Sequence, residues 1–180
     1  MLLIYRILIN FIFFLSPIII LIRLIKKKED LKRFKEKLGF FSKKKIKNNL
    51  VWFHGASVGE LLSIIPLIEK LERNNKVDQI LVTTSTLSSA KVFNNFKFKK
   101  TIHQFFYIDT KSISKKFINY WSPSLALFVD SEIWPNTLLA LKKNKIYTIL
   151  INGRITKKSF NRWKIFNIFS KKIFNCFSDT

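Results

Sequence analysis

Two hydrophobic patterns divide the chain. From residue 2 to 25 nearly every position is apolar, interrupted by Arg6, Asn10, Ser16 and Arg23. A helix that crosses a bilayer needs about 20 such residues, so the segment predicts a membrane-spanning anchor, with an interfacial helix or a cleaved signal peptide as the alternatives. Arg6 and Arg23 fall near its ends, where long basic side chains reach the headgroups. After residue 50 the pattern changes to short apolar runs separated by amphipathic stretches. The runs at 50–53, 79–83, 104–108, 125–129 and 147–151 predict strands, and 59–73, 86–96, 112–120 and 136–143 predict helices between them. Strands that are apolar on both faces and alternate with helices imply a parallel sheet covered on both sides. The expected fold is therefore α/β, a doubly wound, Rossmann-like parallel sheet with an N-terminal transmembrane helix. Its ligand should bind beyond the carboxyl ends of the strands. The expected divisions are the anchor at 2–25, a basic juxtamembrane helix and linker at 26–49, and the α/β lobe at 50–180.

Charge refines this picture. Lys and Arg number 33 against 11 Asp and Glu, a net charge of +22. A charge of that sign favours nucleic acid or an anionic membrane surface as partner, although Lys is abundant throughout the chain, as a general composition bias would produce. The residues after the apolar run decide between the two. Arg23, Lys26, Lys27, Lys28, Lys32, Arg33, Lys35 and Lys37 form a dense basic flank with no small-residue cleavage site before it. By the positive-inside rule that flank, and the lobe behind it, belong on the cytoplasmic side. No stacking platform is interleaved with the basic residues, which argues against nucleic acid. With 48% hydrophobic and 15% aromatic residues the chain is too apolar to be disordered, and its single cysteine, Cys176, excludes an internal disulfide.

Three strand-end loops carry candidate chemistry. The first is His54-Gly55-Ala56-Ser57-Val58-Gly59-Glu60. It lacks the Gly-Lys-Ser/Thr of a phosphate loop and the three glycines of a dinucleotide fingerprint. It offers instead an acid at a helix start, where the dipole favours the ionised form and where it suits a general base for a substrate hydroxyl. The same Ser57-x-x-Glu60 spacing is also that of a capping box, which needs no substrate. The second loop, Asp130-Ser131-Glu132-Ile133-Trp134-Pro135-Asn136, places acids beside an indole that can shield one of them, stack on a sugar or simply fill space. The third runs from Asn152-Gly153-Arg154 to Ser159, where Arg154 with Ser159 or Asn152 can hold a phosphate or carboxylate, while Asn-Gly is also an ordinary turn. Metal-ligand spacing is lacking, and no metal is expected.

Together these segments resemble the Kdo transferases of lipopolysaccharide synthesis, which add 3-deoxy-D-manno-octulosonic acid to a lipid A precursor. The resemblance rests on the anchor, Arg33-x-x-Glu36-x-x-Gly39, His54-x-x-Ser57-Val58-Gly59-Glu60, Thr83-Thr-Ser-Thr86, Glu132-Ile-Trp-Pro-Asn136, and Asn152-x-Arg154 followed by Ser159. It implies the first, acceptor-binding lobe of a GT-B glycosyltransferase at the inner membrane. Glu60 would then be the general base of an inverting transfer from CMP-Kdo to lipid IVA, with Ser57, Gly59, Glu132, Asn152 and Arg154 shaping the acceptor site. It implies no cofactor beyond the donor substrate. At the position of Asp130 such sequences usually carry glutamate. The resemblance also implies a C-terminal donor lobe beyond the 180 residues, in the same or a separately encoded chain. Without it, a lobe that only binds acidic glycolipid at the membrane is the alternative.

Overall fold

The computed structural model describes residues 1–46 and 49–179. The expected linker therefore lies partly outside the described residues, at Lys47 and Asn48. Five strands form one parallel sheet in the order β3-β2-β1-β4-β5: β1 Leu50–His54, β2 Gln79–Thr84, β3 Thr101–Phe105, β4 Leu125–Val129 and β5 Tyr147–Ile151. The helices of the lobe are α2 Val58–Glu72, α3 Leu87–Phe93, α4 Lys111–Trp121, α5 Pro135–Lys143, α6 Lys157–Ile165 and α7 Asn167–Phe174. The N-terminal apolar run is one helix, α1 Leu2–Ile25.

The period of two along each strand distributes side chains between two cores. Trp52, Leu81, Ala126 and Phe128 point to one face and pack with Phe117 and Trp121 of α4 and Leu138 of α5. Val51, Phe53, Ile80, Val82 and Leu127 point to the other and pack with Leu61, Ile64 and Ile68 of α2. Because both faces are covered, the strands read as continuous apolar runs, which is why their positions are legible in the sequence.

Two expected elements differ. The third strand lies at Thr101–Phe105 instead of 104–108. Phe106 and Tyr107, the residues that made 104–108 look like a strand, leave the sheet and stack under its carboxyl rim, with ring centroids 4.5 Å apart. The basic segment after α1 is not an α-helix. It forms turns and a short 3-10 helix, Phe34–Leu38, ending at Gly39 with φ +85°. A Cβ at Gly39 would lie 2.7 Å from the Ile113 side chain, so both the backbone conformation and the space there require glycine.

That 3-10 segment closes the exposed edge of β3. Glu36 Oε2 accepts the Phe105 backbone N–H at 2.6 Å, and Arg33 Nη2 donates to the His103 carbonyl at 2.8 Å while its Nε donates to Glu36 at 2.9 Å. An edge strand otherwise presents unpaired backbone groups to any passing strand. The Arg33-x-x-Glu36-x-x-Gly39 pattern thus serves the fold, capping a sheet edge with side chains.

Candidate functional site at the carboxyl rim of the sheet

The strand order reverses direction between β1 and β4, the place where an open α/β sheet leaves a crevice beyond its strand ends. Glu60 follows β1 and Glu132 follows β4, so the two carboxylates come from the loops that flank this switch point.

Glu60 is half-buried in the first turn of α2. Its backbone N–H donates to Ser57 Oγ at 3.2 Å, the expected cap. Its carboxylate does more than a capping box requires. Oε1 accepts the Ser57 hydroxyl at 2.7 Å and Oε2 accepts the Ala56 backbone N–H at 2.7 Å, one residue upstream of the donor a capping box uses. The loop beneath is pinned to β2 through Gly55 N–H to the Thr83 carbonyl, 3.1 Å, and Ser85 N–H to the Ala56 carbonyl, 3.2 Å. Gly55 lets this happen, since a Cβ there would meet Glu60 Cβ at 3.0 Å. Gly59 faces open space. Each carboxylate oxygen has two acceptor positions, so after these bonds Glu60 keeps one free on each oxygen.

Glu132 is held from the other side. Its Oε2 lies 3.2 Å from Nε2 of His54 and accepts the Trp134 indole N–H at 2.9 Å. His54 is fully buried and stacked on Phe106 at 3.9 Å between ring centroids. Its Nδ1 faces the Thr83 carbonyl at 3.2 Å, an acceptor, so the proton on that nitrogen is held there. Nε2 is then free either to accept from Trp134, 3.0 Å away, or, in the protonated ring, to donate to Glu132. Burial alone would raise the Glu132 pKa. The hydrogen bond from His54, its charge and the indole N–H outweigh that and leave the carboxyl below its ordinary range. Trp134 therefore shields and bonds an acid, in addition to packing on Phe106 at 5.2 Å.

The third loop lines a cavity of about 570 Å³ that also takes in Asp130, Ser131, Trp163 and Phe174. Arg154 and Ser159 both line it and Asn152 does not. Ser159 is committed in part to the start of α6, where its N–H donates to Thr156 Oγ1 at 3.2 Å. Asp130 and Asn152, each the first residue after its strand, take left-handed backbone angles of φ +60° and +52°. Strand β4 separates β1 from β5, so Arg154 follows a strand two positions along the rim from the one that carries the Glu60 loop.

Asp109 went unnoticed in the sequence. It is fully buried in the loop after β3 and accepts from the backbone N–H groups of Asn136 at 2.9 Å and Thr137 at 2.8 Å, and from the hydroxyls of Ser114, Thr137 and Tyr5. It caps α5 and thereby fixes the end of the Glu132 loop. Burial pushes its pKa up against these bonds. An isolated acid between Ile108 and Thr110 carries no spacing signal, and only its tertiary partners reveal it. Among the described residues no group of three or more His, Cys, Asp or Glu side chains is placed to hold a metal ion.

Fold and site together define a Rossmann-like lobe whose switch point is lined by two oriented carboxylates. Comparison with known proteins gives the family. The 3-Deoxy-D-manno-octulosonic-acid transferase (kdotransferase) family matches residues 32–180, and the chain belongs to it. It is 36% identical over 170 residues to the 3-deoxy-D-manno-octulosonic acid transferase of Rickettsia bellii, covering 93% of this chain and 40% of that protein. It is 33% identical over 135 residues to an Arabidopsis thaliana mitochondrial protein named as a probable 3-deoxy-D-manno-octulosonic acid transferase, covering 75% of this chain and 30% of that one. The chain thus spans less than half the length of these relatives. Among solved structures it is similar to a UDP-N-acetylglucosamine 2-epimerase at 15% identity and a TM-score of 0.49, over 71% of this chain and 38% of that one.

Proposed function

We propose that this chain forms the acceptor-binding lobe of a membrane-attached Kdo transferase, in which Glu60 is the general base for transfer from CMP-Kdo to a lipid A precursor such as lipid IVA. The observation that carries this reading is the geometry of Glu60. Two short hydrogen bonds fix its carboxylate at the sheet's switch point, and each oxygen keeps an acceptor position that is free to receive a proton. A hydroxyl of the acceptor sugar placed there loses its proton to Glu60 as it attacks the anomeric carbon of the donor. Attack on the face opposite the departing CMP inverts that carbon. General-base assistance of this kind contributes roughly 10²–10⁴-fold.

Glu132, ionised and restrained by His54 and Trp134, orients hydroxyls of the acceptor. Arg154 stands at the far side of the rim, where its guanidinium suits a phosphate or carboxylate. The lobe works on the cytoplasmic side of the inner membrane, where Lys and Arg meet anionic lipid and the phosphates of the acceptor. Donor binding belongs to the part of the relatives that this chain does not span.

The test is Glu60→Gln in a full-length protein, assayed for Kdo transfer with the fold checked by circular dichroism. A loss of about 100-fold or more with an unchanged spectrum supports the base assignment, on the magnitude above. Near-normal turnover overturns it.

A further inference from the structure

Helix α1 is tied to the lobe at both of its ends. Near its start, Tyr5 Oη donates to Asp109 Oδ2 at 2.7 Å and Arg6 Nε donates to Asn136 Oδ1 at 3.0 Å. Near its end, Arg23 Nε donates to Glu29 at 3.0 Å. Lys37 Nζ meets the same carboxylate oxygen at 2.8 Å and the Ser85 carbonyl at 3.0 Å. At 1.5 Å per residue, Tyr5 and Arg23 lie about 27 Å apart along the axis. A helix anchored to one lobe at points that far apart runs alongside it. Were the helix to cross a bilayer away from a cytoplasmic lobe, Tyr5 and Arg6 would reach the opposite surface, far from Asp109 and Asn136.

The side chains sort accordingly. Tyr5, Arg6, Ile9, Ser16, Ile20 and Arg23 share one side of the helix at 3.6 residues per turn, and Ile9, Ser16 and Ile20 are buried. Three of the four polar interruptions in the apolar run are thus turned toward the lobe. The rest of the helix exposes a broad apolar stripe, from Leu3, Ile7 and Phe14 round to Ile4, Leu8 and Ile12. Such a stripe exceeds what a soluble surface leaves in water. At its end stand the exposed Lys26, Lys27, Lys28 and Lys32, at headgroup level if the stripe is in lipid. The tether points Asp109, Asn136 and Ser85 all follow carboxyl ends of strands, the rim that carries Glu60 and Glu132.

We propose that α1 lies in the plane of an anionic bilayer's cytoplasmic leaflet, clamped along the carboxyl rim of the sheet by Tyr5–Asp109 and Arg6–Asn136, and does not cross the membrane. The helix is long and apolar enough to span, but the lobe occupies the side that bears its polar groups. The arrangement rests on the membrane attachment proposed above and sharpens it: the rim with Glu60 is held at the depth of lipid headgroups, so a glycolipid acceptor needs no extraction from the leaflet.

The test uses the full-length chain in bacterial membranes, with an epitope tag ahead of Met1 and a second tag at the C-terminus. Protease is added to spheroplasts and, separately, to inside-out vesicles. The expected result is loss of the N-terminal tag from inside-out vesicles and its retention on spheroplasts. Loss from spheroplasts, with the C-terminal tag intact, overturns the in-plane placement while leaving membrane attachment standing. Recovery of the protein in the soluble fraction overturns attachment itself, and the placement with it. A benzophenone amino acid at Leu2 gives an independent readout that leaves the tethers intact. Photo-cross-links to the segment 106–136 are expected, and cross-links to lipid alone count against the proposal.

Discussion

His54 Nε2 and Glu132 Oε2 lie 3.2 Å apart across the boundary between β1 and β4, and the Trp134 indole N–H reaches both atoms. A buried imidazole at the end of one strand thereby sets the position and charge of a carboxylate at the end of its neighbour. Trp134→Phe removes the indole donor and keeps the ring packing. A hydrogen bond to the ionised carboxylate holds its pKa down, so losing the indole N–H should raise the Glu132 pKa. Carbon-detected NMR titration of the Glu132 carboxyl reads this directly, and an unmoved midpoint would show that the indole bond contributes little to the charge.

Ser57 and Glu60 separate stability from chemistry. Ser57→Ala removes the cap of α2 and one donor to Glu60, and should cost about 1 kcal/mol in denaturant unfolding. Glu60→Gln keeps an oxygen to accept the Ala56 N–H, so its unfolding free energy should stay within about 1 kcal/mol of the parent while transfer is lost. If both variants unfolded alike and both transferred normally, Glu60 would be a cap alone.

Asp109 should be costly to remove. In Asp109→Ala the backbone N–H groups of Asn136 and Thr137 lose their acceptor in a buried site, at about 1–3 kcal/mol each. Tyr5→Phe removes a single, partly buried bond and should cost about 1 kcal/mol. Urea unfolding of the two single variants and the double variant checks this. A double variant no worse than Asp109→Ala is expected, because Tyr5 has nothing left to bond.

His103 gives the fold a pH dependence. Burial, then the neighbouring Arg33 and Lys43, pull its pKa down to about 3. Its Nδ1 accepts from Arg33 at 3.0 Å, so the neutral ring carries its proton on Nε2, toward Thr84 Oγ1 at 2.8 Å. A folded-state pKa below the unfolded value near 6.5 means that the unfolded chain binds the extra proton first. This contribution is fully present above pH 6.5 and is lost as pH falls from 6.5 toward 3, at up to about 1.4 kcal/mol per unit. His103→Gln should flatten that limb in chemical denaturation series, and an unchanged slope would assign it elsewhere.

How much of this was legible beforehand depends on the range of the interactions. The apolar runs determined the α/β alternation, because strands buried on both faces must be apolar at every position, and four of the five expected strands stand where expected. The loops at the strand ends could be located for the same reason, and with them Glu60, Glu132 and Arg154. The Ser57–Glu60 cap is a contact between residues three apart and follows from spacing. The third strand was misplaced because Phe106 and Tyr107 satisfy the same pattern by packing under the rim. Tertiary structure alone decided that His54 belongs to Glu132, that Arg33 and Glu36 close the edge of β3, and that Asp109 gathers the start of α5 and the hydroxyl of Tyr5. It alone decided too that the apolar first helix bonds to the lobe through Tyr5 and Arg6. Length and hydropathy determine that a helix can enter a membrane, whereas its direction depends on hydrogen bonds to residues about a hundred positions away, which no local pattern encodes.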